Sequence, residues 1–467
     1  MTMWLPELDE EMPRYLAIAE AIGRDVAAGA LPEGARLPTH RGLAEALGVT
    51  VGTVTRGYSE AERRGLIVGE VGRGTFVRAA ETDDFGWREA ATREDTRAEV
   101  IDMSLACPWV PPDGSEGRML AETLGRIARE RPLDDLMRYY PSTAPLRHRT
   151  IAAEWLTRLG VPATPDQIVV TNGAQHGMTV VLAALVRPGG TLMTAELTYP
   201  GLKSVAQMLG LRLRGVPLDD EGIVSDELDA MCAEVPARAL YCVPTIQNPT
   251  GVTMSEARRR EIARVARKHG LIIVEDDINL PVDENPIPPI AVFAPERTVH
   301  LSTLSKWVVF GLRIGFVTAP ERAVERIRSA VRSSAWMPAP LMTEIATRWL
   351  AEGTAGKFAE QKRAELEARH ALVREILGSR HRVDADPRAL HIWLHLPEPL
   401  RSDECVARAR QRGVLIAGAE AFSVGRTAPH AVRVCIAEVP HREHVRRALE
   451  ILRDILDGAS DPVAQIL

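Results

Sequence analysis

Residues 302–316 read STLSKWVVFGLRIGF, and the larger part of the chain is decided by what this stretch requires. A β-prone run ends near Thr303, the hydroxyls of Thr303 and Ser305 flank Lys306, and Arg313 follows inside a turn bounded by Gly311 and Gly315. Lysine is scarce: Lys203, Lys268, Lys306, Lys357 and Lys362 stand alone against abundant arginine. A position that keeps lysine where arginine would otherwise serve points to an amine that must lose its proton, as a Schiff base requires. Hydroxyls and a guanidinium beside such an amine suit a phosphate group. Taken alone, a lysine after a strand is as readily a surface residue, so its surroundings must decide.

Working outward, Thr171-Asn172-Gly173-Ala174-Gln175 ends one apolar run and opens a helix, where first-turn N–H groups form an anion site. Glu275-Asp276-Asp277 closes the buried run LIIV. A carboxylate at such a strand end can pair with a pyridinium nitrogen, and helix capping is the plainer alternative. Asn248-Pro249-Thr250-Gly251 offers an amide at a turn. The apolar runs QIVVTNG, TLMTAEL, ALYCVPT, LIIVEDD, TVHLSTL and RIGFVTA alternate with helical stretches. That alternation predicts a mainly parallel sheet covered by helices on both faces. Beyond Leu341 the pattern predicts one long charged helix over 342–377, followed by a last α+β portion.

In this order the pieces resemble the fold-type I pyridoxal-phosphate enzymes of the aminotransferase superfamily, from about Ile101 to the C-terminus. The resemblance implies an α/β domain over 101–467, a smaller C-terminal α+β subdomain over about 342–467, and pyridoxal 5′-phosphate as cofactor. It implies that Lys306 is the Schiff-base lysine, that Asp276 pairs with the pyridine nitrogen and that Asn248 hydrogen-bonds the 3-hydroxyl. Tyr199 would stack on the ring, while Gly173, Ala174, Gln175, Thr303, Ser305 and Arg313 would hold the phosphate. Arg433, in AVRVCIA, matches the arginine that clamps a carboxylate, and Tyr139 or Tyr140 would reach the partner subunit's phosphate. The chain departs from the family at Asn279, where relatives carry a tyrosine. The departure implies slower turnover without loss of cofactor.

The first 78 residues form a separate unit. A helix is expected from about Arg14 to Ala28, with Tyr15, Ile18, Ala19, Ile22 and Val26 at helical spacing. RGLAEALG (41–48) and TVGTVTRGYSEAERRGL (50–66) read as two short helices around a tight turn, and IVGEVGRGTFV (67–77) reads as a hairpin. This is the spacing expected of a winged helix-turn-helix, a motif whose second helix enters a major groove with its N-terminal residues at base edges. Thr50, Thr53, Thr55 and Arg56 lie at the start of that helix, and Arg73 sits at the glycine-rich hairpin tip. Residues 1–78 carry nine arginines and eleven acids, but residues 36–78 carry seven arginines and four acids, so basicity is confined to the reading half. A helical protein-docking module is the alternative that spacing and charge leave open. The text RLPTHRGLAEALGVTVGTVTRGYSEAERRGLIVGEVGRGTFV resembles the GntR superfamily of winged-helix regulators, which would place Arg41, Thr50, Arg56 and Arg73 at DNA. Val51 and Thr55 stand where many relatives have arginine, so docking mode carries over and base preference does not.

Residues 79–100 (AAETDDFGWREAATREDTRAEV) are polar, acidic and without clear periodicity, the best linker candidate. The whole arrangement resembles MocR-type regulators. That implies a homodimer binding double-stranded promoter DNA, with a small-molecule effector (an amino acid, an amine or the cofactor itself) at the large domain. A working aminotransferase with an accessory DNA-binding domain is the competing reading.

Bulk properties agree. At 467 residues, two or three domains are expected, and a net charge of -6 excludes a global affinity for polyanions. No apolar run approaches the roughly 18 residues of a membrane helix, and the acidic start MTMWLPELDEE lacks the basic n-region of a secretory signal. Cys107, Cys232, Cys242, Cys405 and Cys435 have no CxxC spacing, which predicts reduced thiols and a cytoplasmic location. His391 with His395, and His441 with His444, lack further ligands nearby, so no metal site is expected.

Overall fold

The computed structural model describes residues 4–6, 8, 12–27, 30–32, 34–63, 66–70, 74–77, 100–130, 132–140, 144–278, 286–378, 380–425 and 427–459. Arg73, Asn279 and all of the expected linker except its last residue lie outside these. The chain divides into two units, Met1–Ala90 and Ala91–Leu467.

In the first unit, helical periodicity becomes α1 (Arg14–Ala27), α2 (His40–Leu47) and α3 (Val51–Arg63), followed by an antiparallel hairpin of β1 (Ile67–Glu70) and β2 (Gly74–Val77). Ile18, Ala19 and Ile22 of α1 pack with Leu43, Val54, Tyr58 and Ala61 in one core that also takes in Ile67 and Val77 of the hairpin. Thr39 caps α2 by accepting from the Gly42 N–H at 3.2 Å. Thr50 does the same for α3, accepting from Thr53 N at 3.1 Å, so it precedes the second helix rather than beginning it.

In the second unit, β3 (Ile101–Asp102) is followed by β4 (Ile168–Thr171), β5 (Thr191–Ala195), β6 (Arg212–Val216), a small hairpin of β7 (Leu218–Asp219) and β8 (Gly222–Ile223), β9 (Ala237–Cys242), β10 (Ile272–Asp276), β11 (Thr298–Thr303) and β12 (Gly315–Thr318). Seven of these form one sheet in the order β4-β12-β11-β10-β9-β5-β6. All run parallel except β12, which is antiparallel to both its neighbours. The run RIGFVTA is thus the exception within the expected parallel sheet, because only a short turn separates it from β11 and no crossover helix intervenes. Alternate residues pack on the two faces of the sheet. Val169, Ala239 and Tyr241 face helices Gly173–Leu185 and Glu321–Ala335, whereas Ile168, Val170, Leu240 and Cys242 pack on the opposite face.

The long helix expected over 342–377 is two helices, Pro340–Ala351 and Thr354–Ile376. Gly353, at φ +77°, breaks it, since the left-handed conformation is one that glycine takes without the Cβ clash of other residues. The remaining strands, β13 (Val383–Asp384), β14 (His391–His395), β15 (Val414–Leu415), β16 (Ala417–Gly418) and β17 (Ala431–Cys435), supply a four-stranded antiparallel sheet β13-β14-β17-β16. β15 pairs in parallel with β3, and Ile101 and Met103 enter this subdomain's core, so it draws on the beginning of the unit as well as its end.

Candidate functional site

Strand ends of the seven-stranded sheet bring the chemistry together. Thr171 ends β4, Asp276 ends β10 and Thr303 ends β11. Because β12 is antiparallel, its first residue, Gly315, lies beside both Thr171 and Thr303 in register. Ligands of open α/β sheets bind outside such carboxyl ends.

Here Gly173 opens its helix with φ +81°, and a Cβ on it would stand 2.9 Å from Arg313 Nη2. A Cβ on Gly315 would meet the Gly173 carbonyl carbon at 2.7 Å. Both glycines are therefore required for Arg313 and the helix N-terminus to approach one another. Arg313 is itself held at φ +51°, a conformation costing a non-glycine residue about 1 kcal/mol or more, and strain of this sort gathers at functional positions. Its guanidinium lies over the Phe310 ring, 5.1 Å from the centroid. Thr303 and Ser305 are buried with their hydroxyls 3.1 Å apart. The N–H groups of the first helical turn, these hydroxyls and Arg313 together form a cradle suited to a phosphate. The Gln175 side chain donates to Gly201 O at 3.3 Å, and its Oε1 is buried without a partner among the described residues.

Lys306 is half-buried and its Nζ donates to Ala106 O. Desolvation pulls its pKa below the ordinary lysine value, as an amine that must act as a nucleophile needs. Cys107 and Cys435 lie in the same electrostatic neighbourhood. Asp276 is buried, and burial raises its carboxyl to about 6 even though a hydrogen bond from the Tyr241 hydroxyl favours the charged form. That bond occupies Oδ2. Oδ1 is buried without a partner among the described residues, the feature expected of an acceptor reserved for a ring nitrogen.

Asn248 is buried, and its Oδ1 accepts from Arg433 Nη1 at 2.8 Å. A guanidinium only donates, so this contact fixes the amide orientation and leaves the Asn248 NH₂ as the side chain's donor. Arg433 Nη2 also donates to Ser104 O at 2.5 Å, and the guanidinium lies 4.7 Å from the Phe422 centroid. Tyr199 lies over Gly201, where a Cβ would collide with the ring. Burial first, then Asp276, push its phenol up to about 12. At the start of β14, burial and Arg433 press His391 down to about 3, so its imidazole is neutral. Tyr139 is exposed, whereas the Tyr140 hydroxyl donates to Asp135 O at 3.3 Å within its own chain. Among the described residues no three metal-ligating side chains gather.

The donor set fits pyridoxal 5′-phosphate. A phosphate cradle, a ring-nitrogen acceptor, an amide donor and a nucleophilic amine all stand at one sheet edge. When bound, the cofactor supplies an electron sink for bonds at a substrate's α-carbon. Lys306, Asp276, Asn248, Thr303, Ser305 and Arg313 are the residues that would hold it.

In the first unit, Thr50 and Thr55 are exposed, Thr53 is half-buried, and Arg41 and Arg56 are exposed on α2 and α3. Arg56 is anchored by stacking 4.2 Å over the Tyr15 ring, and Thr55 lies 3.1 Å from His40 Nδ1. Sequence reading missed His40 and also Arg36, whose guanidinium packs 2.9 Å from where a Gly74 Cβ would sit. It missed Tyr241 too, because a tyrosine in the apolar run ALYC carries no signal of which neighbouring carboxylate it meets.

Two family models match the chain: aminotransferase class I and II over residues 115–452, and bacterial regulatory proteins of the gntR family over residues 14–77. The chain is 29% identical over 457 residues to the uncharacterized HTH-type transcriptional regulator YdeF of Bacillus subtilis (strain 168), covering 97% of both. It is 26% identical to the HTH-type pyridoxine biosynthesis transcriptional regulator PdxR of Corynebacterium glutamicum, covering 89% of this chain and 90% of PdxR. Among solved structures, LysN, the α-aminoadipate aminotransferase of Thermus thermophilus, complexed with N-(5′-phosphopyridoxyl)-L-leucine, has the same fold. It matches with a TM-score of 0.69 at 23% identity, over 79% of this chain and 95% of that one. The chain thus belongs to the pyridoxal-phosphate-dependent aminotransferase class I and II family and bears a gntR-family DNA-binding domain ahead of it, the MocR-type architecture of a transcription regulator.

Proposed function

We propose that this regulator, acting in the cytoplasm as a homodimer, binds promoter DNA through α3 and its wing and adjusts that binding to an amine-bearing ligand at Lys306. The observation carrying the proposal is that one chain joins a helix-turn-helix with Val51, Thr55 and Arg56 exposed near the start of α3 to a cradle whose Asp276 Oδ1, Lys306 and Arg433 can hold a cofactor and a carboxylate. No helix among the described residues is long and apolar enough to cross a membrane.

Dimerisation is supported by an exposed apolar surface. Met137 is 84% and Tyr139 80% exposed, and the Tyr139 and Trp336 rings lie 5.9 Å apart. Apolar groups in this number are characteristic of surfaces covered by a partner. A second copy supplying Tyr139 to the phosphate cradle accounts for it.

At DNA, Arg41, Thr50, Thr53, Thr55 and Arg56 face the groove, and the exposed Val51 suits a thymine methyl. Arg73, between the two hairpin strands in sequence, takes a phosphate. Binding to the regions flanking its own gene tests this directly. Arg56→Ala is expected to cost about 1–3 kcal/mol at the specific site and little on random DNA. Arg73→Ala is expected to weaken both and to reduce the salt slope by about one. Equal affinity of the wild type and both variants for specific and random DNA would remove the DNA-reading role.

The effector's carboxylate is assigned to Arg433, and to engage it the ligand competes with the Ser104 carbonyl for guanidinium hydrogens. Ser104 belongs to the first described segment of the second unit, so such an exchange alters a contact near the start of that unit.

A further inference from the structure

We propose that Tyr241 is the positioning residue of the cofactor site: by donating to Asp276 Oδ2 it reserves Oδ1 for the pyridine nitrogen and holds the carboxyl in its acceptor form. The proposal rests on the reading of Asp276 as the cofactor's partner.

The geometry is specific. Tyr241 is in β9 and Asp276 ends the adjacent β10, both strands parallel, with Tyr241 opposite Val274. Tyr241 is completely buried and its ring belongs to the core between the sheet and its covering helices. Its hydroxyl meets Asp276 Oδ2, while Oδ1 has no protein partner among the described residues. A carboxylate with two equivalent free oxygens could rotate or protonate on either one. A carboxylate tied at one oxygen presents the other in a single direction.

The electrostatics explain why a donor is needed. Burial raises the Asp276 pKa, and the neighbouring Asp277 raises it further. Against this act the Tyr241 hydrogen bond, His300 and Lys306. His300 is already turned to Asp277, 3.4 Å away, and Lys306 Nζ donates to Ala106 O. Among the described residues the phenol is the dedicated donor. It is also a safe one: burial and Asp276 hold its own pKa far above the ordinary tyrosine value, so it donates at every physiological pH. A protonated Asp276 would offer a hydrogen where the pyridinium already carries one, and the pairing would fail.

The test compares wild type, Tyr241→Phe, Asp276→Asn and the double variant, with pyridoxal phosphate affinity read by absorbance across mildly acid to neutral pH. Phenylalanine preserves the buried ring and removes only the hydroxyl. Tyr241→Phe is expected to weaken cofactor binding about tenfold near neutral pH, the effect of losing one charge-assisted hydrogen bond. The acid limb of the wild-type profile should move up by about one pH unit. In the Asp276→Asn background the same replacement should change affinity by less than about twofold, because the group through which it acts is gone. Unchanged affinity and acid limb in Tyr241→Phe, or an equal loss in the Asp276→Asn background, would overturn the role. Should the phenylalanine variant fail to fold, Tyr241→His, which retains a ring donor, should bind more tightly than Tyr241→Leu, and equal binding by these two would overturn it likewise. A wild type that takes up no cofactor would instead overturn the reading of the site itself.

Discussion

Lys306→Ala is expected to lose all cofactor fixed to the protein by borohydride while retaining its fold. The wild type, reconstituted and reduced, should carry the label on a peptide containing Lys306 and on none containing Lys203, Lys268, Lys357 or Lys362. The reason lies in position and solvation together. Lys306 follows the strand end that carries Thr303, beside the one that carries Asp276, and its desolvation favours the neutral amine that attacks a carbonyl. Lys268, by contrast, is tied up in an ion pair with Asp229 at 2.7 Å. Lys362, though also desolvated, donates to Glu116 at 2.7 Å and to Trp109 O at 2.7 Å. The alanine variant should still hold cofactor non-covalently through the phosphate cradle and Asp276, which separates loss of the link from loss of the site. Peptide mapping by mass spectrometry reads the outcome, and a label on another lysine would contradict the assignment.

Arg433→Ala is expected to abolish the response to amino acids while leaving cofactor uptake largely intact. Removing one partner from a buried, hydrogen-bonded charge pair costs about 2–5 kcal/mol, or roughly 30- to several-thousand-fold in ligand affinity. Amines lacking a carboxylate should be affected much less, and this contrast distinguishes a carboxylate clamp from a general packing defect. A small secondary effect on the cofactor follows from Asn248, whose amide loses the guanidinium that orients it. Titration with a panel of amino acids and matched decarboxylated amines, followed by absorbance, makes the comparison. Equal losses for both sets would show that Arg433 supports the site without recognising the ligand.

Much of this was legible in the sequence, for identifiable reasons. Strand-helix alternation and the positions of Thr171, Asp276 and Thr303 follow from local pattern, because a parallel sheet delivers consecutive strand ends to one edge. The helix-turn-helix was legible for the same reason, its core residues lying at regular helical spacing. What escaped depends on contacts between segments distant in sequence. The break at Gly353 requires a backbone angle that periodicity does not report, and the reversed β12 depends on a turn too short for a crossover. The Tyr241–Asp276 and Arg433–Ser104 pairs join residues 35 and 329 positions apart, which no local motif encodes.

The central claim is that ligand state at Lys306 governs DNA binding, and linkage requires a ligand that shifts DNA affinity to be shifted by DNA in return. The most direct test measures operator affinity of wild type and Lys306→Ala at fixed salt, with and without the amino acid that changes the absorbance most. The account predicts that the ligand changes wild-type affinity by about 5- to 150-fold, that operator DNA changes ligand affinity by the same factor, and that Lys306→Ala binds DNA without responding. Operator affinity indifferent to the ligand, together with steady turnover of an amino acid and a 2-oxo acid at the roughly 1–10³ s⁻¹ of ordinary enzymes, would contradict it and leave an aminotransferase with an attached DNA-binding domain.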